Sequence, residues 1–172
     1  LRAGVPGAEG CVLGAMIGRE AAQRVRGMVD DALHKGAVLV AGGEVEGTVM
    51  QPALVDHVTP AMQLYRDESF GPVAAVVRVH SPEEAVSVAN DTEYGLAAAV
   101  YGRDVTRALA VARQIDSGIC HINAPTVHDE PQMPFGGVRG SGYGRFGGKA
   151  AIDEFTELRW ITLASDPPQL PF

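Results

Sequence analysis

Three places in this 172-residue sequence bring together side chains able to do chemistry. The densest is Cys120, His121, His128, Asp129 and Glu130. A cysteine beside an imidazole base can attack a carbonyl carbon, and Cys, His and carboxylate together are also donors for zinc. Spacing argues against a metal: Cys120 and His121 are neighbours in an apolar strand-like run, so their side chains should point to opposite faces. No second Cys or paired His stands at ligand spacing. Cys120, with His128 as base, is kept as a candidate nucleophile against the alternative of inert strand packing. Cys11, in a Gly-rich entry segment, reads as packing.

The second place, Gly142-Tyr143-Gly144-Arg145-Phe146-Gly147, matches the dinucleotide fingerprint GxGxxG. That motif works only where a strand runs straight into it and a helix N-terminus meets the pyrophosphate. The preceding strand-like run ends far upstream, so these glycines are expected to serve a turn-rich loop. The third place is Glu68-Ser69-Phe70-Gly71-Pro72-Val73, where a carboxylate and an aromatic ring flank a Gly-Pro turn at the head of an apolar run. A carboxylate accepts hydrogen bonds from vicinal hydroxyls and an aromatic face can cover a flat ring, so a sugar-binding role competes here with a solvated turn.

Around these places the pattern predicts alternating helices and strands. Ala21, Ala22, Val25, Met28, Val29, Ala32 and Leu33 recur at helical spacing over 19–35, and Gly36 suits a left-handed cap. Apolar runs at 37–41, 49–58, 73–79, 96–101 and 119–123 read as strands, the 49–58 run interrupted near Pro52. Helices are expected from Ser81-Pro82 to about Asn90 and from the Asp104 cap to about Ile115. A long Gly- and Pro-rich loop follows over 124–148, then a short helix at 149–155, a strand at 157–163 and an extended tail from Ala164. The fold expected is α/β, a mainly parallel sheet flanked by helices.

Length and a 46% hydrophobic composition allow one domain with a real core. A net charge of −7 disfavours nucleic acid and anionic membranes as partners. Two cysteines without a CxxC pair suit a reducing, cytoplasmic setting, and no apolar run is long enough to span a bilayer. The chain opens on Leu1, and its first residues read as an interior loop, so a piece of a longer protein is expected.

Taken in order, the motifs resemble those of aldehyde dehydrogenases. Glu68-Ser69-Phe70-Gly71-Pro72-Val73 is similar to that family's E-x-F-G-P-V, and the segment from Asn90 to Leu96 to its N-x-x-x-Y-G-L. The segment from Gly118 to Asn123 resembles G-x-x-x-x-N, and Pro134-Phe135-Gly136-Gly137 resembles P-F-G-G. Residues 119–123, 125–130 and 132–135 look closest to the enzymes of aromatic aldehydes: salicylaldehyde, vanillin and benzaldehyde. The resemblance implies oxidation of an aromatic aldehyde to the carboxylate with NAD, NADP being left open. It implies that Glu68 binds the nicotinamide ribose hydroxyls, that Phe70 packs beside the nicotinamide, and that Thr126, Val127 and Phe135 line the aldehyde pocket. It further implies that 1–155 is part of the catalytic domain. Residues 156–172 would form an oligomerisation strand and tail, a segment opening on Glu157 and closing on Leu163 pairing with other subunits. Neither Cys11 nor Cys120 matches the family's nucleophile motif, which together with the cofactor domain would lie upstream of Leu1. The alternative is a free-standing noncatalytic module that binds aldehyde or cofactor, or that drives assembly.

Overall fold

One stripe of α1 (Arg19–His34) is apolar, and its residues Ala22, Val25, Met28, Val29 and Ala32 are buried, as the helical spacing requires. Gly36, at φ 98°, turns the chain out of the helix, and Ala37 N–H then donates to the Ala32 carbonyl at 2.9 Å. The computed structural model describes residues 1–166. The chain divides into two units, Leu1–Ser81 and the part from Pro82 onward.

In the first unit β1 (Val38–Ala41) pairs antiparallel with β4 (Ala53–Asp56), which pairs parallel with β5 (Val73–Ala75). A small hairpin, β2 (Val45–Glu46) and β3 (Val49–Met50), turns at Gly47. The interruption expected near Pro52 divides the 49–58 run into β3 and β4. Pro52 has no N–H for a ladder, and its carbonyl lies so near Gly42 that a Cβ there would fall 1.7 Å from the oxygen. Val25, Val29, Met50, Val55 and Met62 form the centre of the core. α2 (Gln63–Arg66), too short to show a period, was not legible in the sequence. β5 is shorter than the expected 73–79, with Ala74 and Ala75 exposed, because it lies at the edge of its sheet.

In the second unit α3 (Pro82–Asn90) and α4 (Val105–Ala112) alternate with β6 (Ala97–Val100) and β7 (Ile119–Ile122). The two strands are parallel, with Ala97 opposite Ile119 and Val100 opposite Ile122. Asp104 caps α4 by accepting from Arg107 N–H at 3.0 Å. The helix stops at Ala112, before the expected Ile115, where tighter bonds such as Gln114 N–H to the Val111 carbonyl, 3.0 Å, end it. The long loop contains a 3₁₀ turn (Arg139–Ser141) and leads into α5 (Gly148–Glu154). The expected strand at 157–163 is not formed: these residues are exposed and meet no strand among the described residues. A strand needs a neighbour for its backbone groups, and the described residues supply none there. Most of the expected tail lies outside the described residues.

Candidate functional site

Glu68 and Phe70 belong to the first unit, on the turn that feeds β5. Gly71 is pressed against α1, where a Cβ would sit 2.8 Å from the Val25 side chain and 3.3 Å from Met16. The Pro72 carbonyl accepts from Ala53 N–H at 2.8 Å and starts the parallel pairing. With the turn pinned there, Phe70 takes φ 45°, an uncommon conformation for an aromatic residue, and stands 79% exposed. Arg24 of α1 reaches over and donates to the carbonyls of Glu68, at 3.5 Å, and Ser69. Glu68 is exposed, and its carboxylate meets no hydrogen-bond partner among the described residues. The turn thus offers a free acceptor pair next to an open aromatic ring, which suits the vicinal hydroxyls and flat base of a nucleotide.

Cys120, Thr126, Val127 and Phe135 belong to the second unit. Here the 134–137 run folds across the start of β7. Gly118 permits this, since a Cβ on it would lie 1.8 Å from the Gly136 carbonyl. Phe135 and Phe146 exchange backbone hydrogen bonds of 2.8 and 2.7 Å. Arg139 ties the far end of the loop down, donating to the carbonyls of Asn90 and Thr92, each at 2.8 Å, and pairing with Asp116. At φ 56°, Asn123 turns the chain out of β7, its side chain bonding both Gly102 N–H and carbonyl, at 2.8 and 2.9 Å.

Beside the loop lies an open cavity of about 400 Å³ whose lining includes Cys120, His121, His128, Met133 and Phe135. Cys120 and His121 share it, against the expectation of opposite faces. Successive residues from Gly118 to His121 line it, as they do where a cavity follows the unpaired edge of a strand. Burial, the sole resolved influence, pushes the Cys120 thiol above its ordinary value of 9.0, which keeps it protonated near neutrality and weakens it as a nucleophile. His128 Nε2 lies 3.2 Å from Glu130 Oε1, and its ring meets that of His121 edge to face at 5.5 Å. His121 Nε2 is shut off from water without a hydrogen-bond partner. Thr126 and Val127 stand outside this lining, Val127 being 92% exposed. Among the described residues no group of three Cys, His, Asp or Glu is placed to hold a metal ion.

The GxGxxG glycines have another use. No strand runs directly into them, the 3₁₀ turn (Arg139–Ser141) standing there instead; Gly142, Gly144 and Gly147 all take positive φ, and a Cβ on Gly147 would lie 2.1 Å from the Met133 carbonyl. They fold the loop on itself. Sequence reasoning missed Arg24, whose two contacts cross more than forty residues and leave no local signal. Met133 was legible only as part of a loop motif.

The chain belongs to the aldehyde dehydrogenase family, whose family model matches residues 1–161. It is 56% identical to a vanillin dehydrogenase of Pseudomonas fluorescens over 99% of this chain and 36% of that protein. To a benzaldehyde dehydrogenase [NAD(+)] of Pseudomonas putida it is 39% identical over 98% of the chain and 35% of the relative. The crystal structure of a salicylaldehyde dehydrogenase from Pseudomonas putida G7, complexed with salicylaldehyde, superposes with a TM-score of 0.88 at 46% identity. That match covers 94% of this chain and 34% of the other. The chain spans about a third of the length of the curated relatives it matches.

Proposed function

We propose that this chain takes part in the NAD-dependent oxidation of an aromatic aldehyde to its carboxylate. The observation that carries the reading is the 56% identity to a vanillin dehydrogenase over nearly the whole chain. The aromatic-lined cavity of about 400 Å³ supports it, being of a size for a single-ring substrate. In the oxidation water supplies the second oxygen, and NAD, when bound, accepts the hydride. Glu68 accepts hydrogen bonds from the ribose hydroxyls and Phe70 packs beside the nicotinamide; NADP offers the same nicotinamide ribose. Phe135 forms a wall of the aldehyde pocket, whereas Thr126 and Val127 stand outside its lining. The attacking nucleophile is read as lying outside these 172 residues, because neither Cys11 nor Cys120 matches the family's nucleophile motif.

Residues 1–155 are read as catalytic-domain scaffold and 156–172 as the oligomerisation strand and tail. Leu158, Trp160 and Leu163, each at least 90% exposed, favour a homo-oligomeric partner at the segment from Glu157 to Leu163. Two free cysteines suit a reducing, cytoplasmic setting. Among the described residues no helix is long and apolar enough to cross a membrane.

The test is steady-state kinetics of the enzyme that contains this chain, with vanillin or salicylaldehyde and NAD. Glu68→Gln should lower kcat/KM for NAD by the equivalent of about 1–3 kcal/mol, the range for a hydrogen bond to a charged group. Unchanged cofactor kinetics in that variant would remove Glu68 from the cofactor site.

A further inference from the structure

The turn that carries Glu68 and Phe70 is anchored at both ends by backbone. Asp67 N–H donates to the Gln63 carbonyl at 2.9 Å, and Ala53 N–H donates to the Pro72 carbonyl at 2.8 Å. Between those anchors, among the described residues, the carbonyls of Glu68 and Ser69 are held by one group alone, the Arg24 guanidinium. One of its terminal nitrogens donates to Glu68 at 3.5 Å and the other to Ser69. The Ser69 hydroxyl reaches Gly71 only at 3.4 Å, too long to fix the turn by itself. Arg24 is well placed to hold it, since its neighbour in α1, the buried Val25, lies under Gly71, and Met28 Sδ steadies the guanidinium at 3.5 Å. The next residue is Phe70 at φ 45°. Such a conformation persists in a residue with a Cβ only where its surroundings impose it.

Resting on the reading of Glu68 and Phe70 as cofactor residues, we infer that Arg24 is a positioning residue for the cofactor. It acts through the backbone of the turn, fixing where the Glu68 carboxylate and the Phe70 ring are presented. The planar fork of a guanidinium can donate to two carbonyls at once from separate nitrogens. A lysine brings the same charge on a single nitrogen and holds the pair less closely. The role therefore depends on the fork and not on the charge.

The experiment is steady-state kinetics of the enzyme that contains this chain, with NAD and an aromatic aldehyde varied in turn. The variants are Arg24→Met, Arg24→Lys, Glu68→Gln and the double variant Arg24→Met/Glu68→Gln. In Arg24→Met, kcat/KM for NAD should fall about tenfold, the lower end of what a charge-assisted hydrogen bond contributes, while KM for the aldehyde stays unchanged. Arg24→Lys should recover only part of that loss. Because Arg24 works through the turn, the losses in Arg24→Met and Glu68→Gln should be less than additive in the double variant. Should Arg24→Met fail to fold by circular dichroism, Arg24→Lys, alone and combined with Glu68→Gln, decides in its place. Full activity in Arg24→Lys, strictly additive losses, or an equal loss toward aldehyde and NAD overturns the inference. Cofactor kinetics that change in Glu68→Gln but not in Arg24→Met also overturn it, and leave the cofactor reading in place. Unchanged cofactor kinetics in Glu68→Gln overturn both.

Discussion

At the scale of single residues, the chain separates groups fit for recognition from groups fit for attack. Glu68 is free of hydrogen-bond partners among the described residues and presented by a turn that Arg24, Gly71 and the strained Phe70 hold in shape. Cys120 is the opposite case: a nucleophile by type whose thiol burial pushes above its ordinary value. Because its pKa lies above 9.0, iodoacetamide should label Cys120 slowly at neutral pH, the rate climbing still beyond pH 9. Peptide mapping of the label against pH measures this. A midpoint near neutrality would return Cys120 to the list of active nucleophiles. The E-S-F-G-P-V motif was legible because all of its chemistry is contiguous. Arg24, which holds it, was not, since its partners are carbonyls and any residue has a carbonyl.

At the scale of elements, what the sequence announced best was what repeats locally. The apolar stripe of α1, the Asp104 cap of α4 and the parallel pair β6–β7 all follow from period, cap and alternation. Pairing partners were less legible: β1 runs antiparallel to β4, and the hairpin β2–β3 lies inside what reads as loop and strand. Such choices are made by contacts distant in sequence. One of them is electrostatic. Asp56, the last residue of β4, accepts from Arg78 Nε at 3.1 Å and from its second guanidinium nitrogen, tying β4 to the chain beyond β5. The Arg78 hydrogen bonds, aided by His57 N–H and opposed by burial, lower its pKa from 3.8 to about 2. The folded carboxyl thus holds its proton less tightly than the unfolded one, so the contribution is complete above 3.8 and fades as pH falls toward 2. Asp56→Asn should therefore be less stable near neutrality and lose less further stability on acidification through that window. Urea titrations by circular dichroism at several acid pH values measure it. Parallel pH dependences for the two proteins would show that the Asp56–Arg78 pair does not matter.

At the scale of the whole molecule, the segment 157–163 stands out for its apolar side chains, with Leu158, Trp160, Ile161 and Leu163 all open. Alternation had marked it as a strand. No strand forms there, because among the described residues none lies beside the segment to pair with it. If other copies supply the neighbour, truncation after Phe155 should convert a sedimenting oligomer into monomer or aggregate; a clean monomer for the intact chain at micromolar concentration would contradict assembly through this segment. The proposed function is a claim about chemistry: that these 172 residues contribute to binding aldehyde and cofactor, with the nucleophile supplied from elsewhere. The most direct measurement is the rate of NAD reduction by the purified chain alone, with vanillin or salicylaldehyde in excess. The account predicts a rate several powers of ten below an ordinary turnover number, as when an activated nucleophile is removed, and no further loss on Cys120→Ser. Turnover in the ordinary range of about 1–1000 per second would contradict it, and loss of that turnover in Cys120→Ser would name the thiol responsible.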